Sequence, residues 1–141
     1  MISLTRDMPV IERRLLQLVV FLAASVAVFA GVMGVIRGSE FLALEGARTA
    51  DSHVRYFSGL LLGVGLGFWS TIPNIQCEGS RLRILSFVVV CGGLGRLWAT
   101  AAVGPPHLSA WLALINETLV PLILCLWQIR VARRANNEST D

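Results

Sequence analysis

Arg96 and Glu117 each stand inside a long apolar stretch. A lone charge near the centre of a bilayer costs from about 3 to more than 10 kcal/mol. Two opposite charges in neighbouring apolar segments are therefore most simply partners. Asp51 and Arg55 are spaced i, i+4 and can pair with each other or join the same network. The quartet Asp51, Arg55, Arg96 and Glu117 has no formal net charge. Three chemistries follow from it. It is an ion-pair network that sets the register of four helices. Or it is a polar pocket opening outward, in which Arg96 or Arg55 engages an anionic headgroup or small molecule. Or Glu117 handles a proton or ion, since ionisable residues inside a membrane are functional candidates by default.

Other chemistry finds little support. His53 and His107 fall beside the apolar segments, and with Asp51 they offer a conceivable metal set. His53, however, lies about 200° around a helix from Arg55, so ordinary interfacial histidines are expected and no metal or other cofactor. Ser52, Ser58 and Thr100 have no evident base, so no catalytic residue is assigned and a non-enzymatic protein is expected. Cys77, Cys91 and Cys125 have no metal-like spacing and read as small apolar fillers. The sequence has no Gly-rich phosphate loop and no basic groove interleaved with aromatics, so a nucleic-acid partner is not expected.

The elements that carry the charges follow from composition. Of 141 residues, 55% are apolar and 15% charged, against about 25% charged in soluble domains. The mean hydropathy is +0.68. This is the composition of a membrane protein. Four segments reach the roughly 20 apolar residues that a crossing requires: 15–36, 54–75, 82–103 and 108–129. The expected fold is an all-α integral membrane protein, a single four-helix bundle over 1–141 that ends in a short cytoplasmic tail at 130–141. The joint from Arg37 to His53 contains a weakly amphipathic SEFLALEG stretch suited to a membrane surface. The N-terminal apolar run is too long for a signal peptide and lacks a cleavage site, so it is expected to stay.

All twelve basic residues are Arg. Arg6, Arg13, Arg14, Arg81, Arg83, Arg130, Arg133 and Arg134 fall on one side of the spans, and Arg37, Arg48 and Arg55 on the other. Cytoplasmic flanks carry the excess of positive charge. Both termini are thus expected inside, with the loops around Glu45 and Pro105 outside. Tyr56, Trp98 and Trp111 then lie toward the outer interface, and Trp69 and Trp127 toward the inner one. Arg96 lies roughly 10 Å and Glu117 roughly 15 Å below the outer surface, at 1.5 Å per residue. Helical side chains lean toward their own N-terminus, so Arg96 points deeper, Glu117 points shallower, and the two converge.

Membrane helices associate through small residues and polar contacts. Gly59, Gly63 and Gly67 form a tandem GxxxG, while Gly92 and Gly93 precede Arg96 by one turn. These five glycines, with Ala24, Ala27, Gly31, Gly34 and Gly38 on the first span, are the expected packing positions. Pro121 has no N–H for the carbonyl of Glu117, and a kink is expected there.

The segments DSHVRYFSGLLLGVGLGFW (51–69), GGLGRLWA (92–99) and ETLVPLILCLWQIRVAR (117–133) together resemble the bacterial membrane proteins grouped as domain-of-unknown-function family 4345. The resemblance rests on Asp51, His53, Arg55, Gly59, Gly63, Gly92, Gly93, Arg96, Glu117 and Pro121. It implies a four-helix integral membrane protein of a bacterial inner membrane and supplies no activity. The expected partners are the bilayer itself, a lipid or small anionic ligand, and further copies or another membrane protein. An accessory or assembly role is the alternative function. A membrane enzyme or small transporter is the weaker one, since no inverted repeat is visible.

Overall fold

Backbone groups that meet no water must pair within their own segment, and a long apolar run does so as a helix. The computed structural model describes residues 3–42, 48–104 and 108–138, and these are helical nearly throughout. Helix α1 spans Ser3–Arg37 and is followed by a 3-10 turn, Gly38–Leu42. Helices α2, α3 and α4 span Arg48–Thr71, Gly79–Val103 and Leu108–Glu138. Three stretches are long and apolar enough to cross a membrane: Val10–Glu40, Gly79–Ala102 and Trp111–Ala135. Helix α2 falls short of this on composition. Its 24 residues begin with Arg48, Asp51 and Arg55 and include four glycines.

Helices α1 and α2 begin at Ser3 and Arg48, ahead of the expected 15 and 54, and three other boundaries move by three residues or more. Helix α2 stops at Thr71 rather than Ile75, because Ile72 precedes Pro73 and a residue before proline is pushed away from helical geometry. Helix α3 starts at Gly79, three residues ahead of the expected span. Helix α4 runs on through Glu138, so most of the expected tail from Arg130 is helical; its Ala, Arg and Glu residues favour helix and no Gly or Pro interrupts them. The expected outer loops around Glu45 and Pro105, His107, and residues 139–141 lie outside the described residues.

The chain forms two compact units. In the unit Gln17–Pro73, α1 and α2 meet where side chains are missing. A Cβ on Gly31 would lie 2.7 Å from the backbone nitrogen of Leu62, and one on Gly65 3.0 Å from that of Val28. The close approach of α2 is therefore at Gly65, off the expected glycine stripe. A Cβ on Gly59 would only touch Val35 at 4.0 Å, and one on Gly63 would meet nothing within 4 Å. The recess that α1 offers at Gly31 receives Leu62 and so sets which face of α2 turns inward. Phe21 stacks on Trp69 at 5.7 Å, and Gln17 Nε2 donates to the Ile72 carbonyl at 2.7 Å.

In the unit Met1–Leu16 with Asn74–Asp141, α3 packs antiparallel on α4. Gly93 faces Glu117 and Thr118 near one end, while Gly79 faces Gln128 near the other. Gln128 is buried and donates from Nε2 to the Ile75 carbonyl at 3.0 Å. Leu16, Ile75, Leu82, Leu114, Leu124 and Val131 are the buried apolar residues of this unit among those described. A Cβ on Gly92 would meet nothing within 4 Å.

Large apolar side chains also cover the outside of all four helices. Phe29, Phe57, Phe87, Trp98 and Leu126 are each more than 60% exposed. An apolar exterior this extensive suits lipid as the solvent rather than water.

Candidate functional site

Gly93 and Arg96 are three residues apart on α3 and share a face. Without a side chain at Gly93, α4 comes close: a Cβ there would stand 2.9 Å from Thr118 Oγ1 and 3.4 Å from Glu117 Cβ. This approach brings Glu117 within reach of Arg96. Arg96 Nε donates to Glu117 Oε2 and Nη2 donates to Oε1, both at 3.0 Å. The bond is a two-pronged guanidinium–carboxylate fork, the geometry that adds direction to charge.

The surroundings of the fork come from the same two helices. Thr118 Oγ1 donates to the Leu114 carbonyl at 2.8 Å, and Thr100 Oγ1 to the Arg96 carbonyl at 3.0 Å. Pro121 is buried inside α4, so the Glu117 carbonyl has no N–H four residues on. The Arg96 side chain is 45% exposed and that of Glu117 26%. Arg96 Nη1 has no hydrogen-bond acceptor among the described residues. A guanidinium carries five N–H donors, and the fork uses two, so three remain for an incoming anion.

Asp51 and Arg55 form a second pair, in the other unit, with a different set of bonds. Arg55 Nε donates to Asp51 Oδ2 at 2.7 Å. Arg55 Nη1 donates to the Val35 carbonyl at 2.6 Å and the Ile36 carbonyl at 3.0 Å. These are among the last carbonyls of α1, which have no partner within their own helix. Asp51 Oδ1 accepts from Ser39, from its backbone N–H at 2.8 Å and its hydroxyl at 3.2 Å. The Arg55 hydrogen bond, aided by the Ser39 N–H, holds the Asp51 carboxyl below the ordinary aspartate range. Gly38 makes the joint possible. It sits at φ +60, and a Cβ there would run into Asp51 Oδ1. The pair is a clasp that caps α1 and fixes the entry of α2.

The remaining sequence candidates fall around these two pairs. His53 is exposed with its ring 6.4 Å from that of Phe57. Among the described residues no three His, Cys, Asp or Glu side chains group as metal ligands. The Gly67 carbonyl accepts from Ser70 Oγ at 2.6 Å. The sequence reading missed Ser39 and Thr118, and took Gly38 only as a small packing residue. Ser39 and Gly38 had a visible signal: a GS pair directly after a long apolar run is a helix-stop sequence.

Comparison with known families agrees with the extent of this architecture. The family model described as Domain of unknown function (DUF4345) matches residues 15–128. No curated protein and no solved structure matches the chain. Both charge pairs lie inside the matched region, and the chain belongs to the DUF4345 family.

Proposed function

We propose that this DUF4345 protein is a multi-pass protein of the bacterial cytoplasmic membrane that receives an anionic headgroup or small anion at Arg96. In this reading all four helices cross the membrane and both termini are cytoplasmic. Helix α2 has the length for a crossing, roughly 36 Å at 1.5 Å per residue, and glycine is more frequent in membrane helices than in soluble ones. Four crossings also keep the arginine-rich flanks of α1, α3 and α4 on one side, as the charge rule asks.

The observation that carries the ligand reading is the bonding at Arg96. Its guanidinium is fixed by Glu117 through Nε and Nη2, while Nη1 has no acceptor among the described residues and the side chain is half exposed. A charge oriented by one partner and left with unused donors is preorganised for an anion. Glu117 in this role positions Arg96.

Native mass spectrometry of the protein released gently from its own membrane, beside Arg96→Ala, tests the reading. A lipid or small anion retained by the wild type and missing from the variant is the expected result. No adduct in either protein, with the variant only melting earlier, would overturn it in favour of a structural ion pair.

A second reading is an accessory subunit that packs on another membrane protein. It is favoured by the open space beside Gly63 and Gly92, since small residues let membrane helices approach closely. Bulky substitutions at these positions, Gly63→Leu and Gly92→Leu, would then disrupt a complex isolated from membranes without unfolding the chain.

A further inference from the structure

Glu12 lies in the first part of α1, in the same unit as the end of α4. Its carboxylate takes two arginines from successive turns of α4: Arg130 Nε meets Oε1 at 3.0 Å, and Arg134 Nη1 meets Oε2. Glu12 is mostly buried, whereas Arg130 remains 61% exposed. Arg14 and Arg133 are exposed beside this bracket in sequence. The Arg13 Nε atom is buried and has no hydrogen-bond partner among the described residues. Residues 12–14 and 130–134 thus carry five arginines against one carboxylate.

The bracket closes the ends of two membrane-length apolar stretches, Val10–Glu40 and Trp111–Ala135. In a bilayer, the ends of such stretches leave the hydrocarbon at the level of lipid phosphates. All six residues fall outside the region that the family model matches.

We propose that the Glu12–Arg130–Arg134 bracket, with Arg13, Arg14 and Arg133, is a docking surface for anionic phospholipid headgroups of the adjoining leaflet. The chemistry is charge-assisted hydrogen bonding of phosphate oxygens to guanidinium groups. Glu12 has two effects on the site. It lowers the local charge by one, and it holds Arg130 and Arg134 in fixed positions with donors left over. Basic residues at a membrane flank each strengthen attraction to an anionic surface by about fivefold. This site is independent of Arg96 and stands or falls separately from it.

The test uses the full chain in detergent with equimolar phosphatidylglycerol and phosphatidylcholine, read by native mass spectrometry. Wild type is expected to retain phosphatidylglycerol preferentially. Arg13→Gln and Arg133→Gln leave the bracket intact and are expected to lower that preference by roughly fivefold each. Glu12→Gln makes the surface more positive, yet is expected to weaken retention because Arg130 and Arg134 lose their anchor. Equal retention of the two lipids by wild type, or unchanged preference in both arginine variants, would overturn the proposal. So would stronger retention in Glu12→Gln, which is the signature of diffuse charge. Displacement of the lipid by inorganic phosphate would overturn it in favour of a site for a soluble anion.

Discussion

Two arginine–carboxylate pairs in this chain are nearly matched in exposure. Arg55 and Asp51 show 44% and 35% of their side chains, and Arg96 and Glu117 show 45% and 26%. Exposure does not separate them, but hydrogen bonding does. In the first pair both partners also bind backbone: Arg55 takes two terminal carbonyls of α1, and Asp51 takes the Ser39 N–H. In the second pair the two charged groups bind only each other among the described residues. The first is committed to holding a helix end. The second holds a guanidinium in place and leaves an amino group over.

The largest expected effect tests the clasp. Gly38→Ala forces a side chain into a left-handed backbone position and onto the Asp51 carboxylate. It should cost about 3 kcal/mol in a thermal or denaturant unfolding measurement. An unchanged midpoint would mean that Asp51 does not sit as described. Gly93→Val is the matching test on the other pair. Overpacking the α3–α4 contact should cost about 2 kcal/mol and should abolish any ligand retained through Arg96. Full stability together with ligand retention would show that the close approach at Gly93 is not needed to place Glu117.

A double-mutant cycle sharpens the comparison on a smaller scale. Arg96→Ala and Glu117→Ala should each destabilise the protein, and the double change should be no worse than either alone. Strict additivity would dissolve the contact. The smallest effect is a local one in acid. The Asp51 carboxyl is held below the ordinary aspartate range by Arg55, so its contribution is complete above that range and is lost as pH falls through the lowered value. Protection of the Ser39 amide against hydrogen exchange should therefore be complete above the usual aspartate range and fall progressively from that range down to the lowered value. Protection that does not change with pH across this window would show that the Asp51 charge does not hold the clasp.

Much of this was readable before any coordinates. Apolar run lengths located the helices, because a hydrocarbon solvent leaves the backbone few other choices. The rarity of charge inside those runs picked out Arg96 and Glu117, and helix geometry aimed them at each other. The i, i+4 spacing of Asp51 and Arg55 already permitted their bond. Helix ends were less legible: the proline after Ile72 was in plain view, yet apolar content carried the expected span on to Ile75.

Glycine spacing marked Gly31 and Gly93 as packing positions but misread α2, and the reason is physical. A GxxxG stripe says where a helix can be approached and not by what. Gly31 on α1 and Gly65 on α2 became the contacts, while Gly63 kept open space. Which carbonyls Arg55 would reach, and which arginines Glu12 would gather across 122 residues of sequence, depended on how distant segments pack. Composition and periodicity act along one helix at a time and therefore set the helices and their charged positions. The partners of each charge are set by close approach between helices, and that exists only in the folded chain.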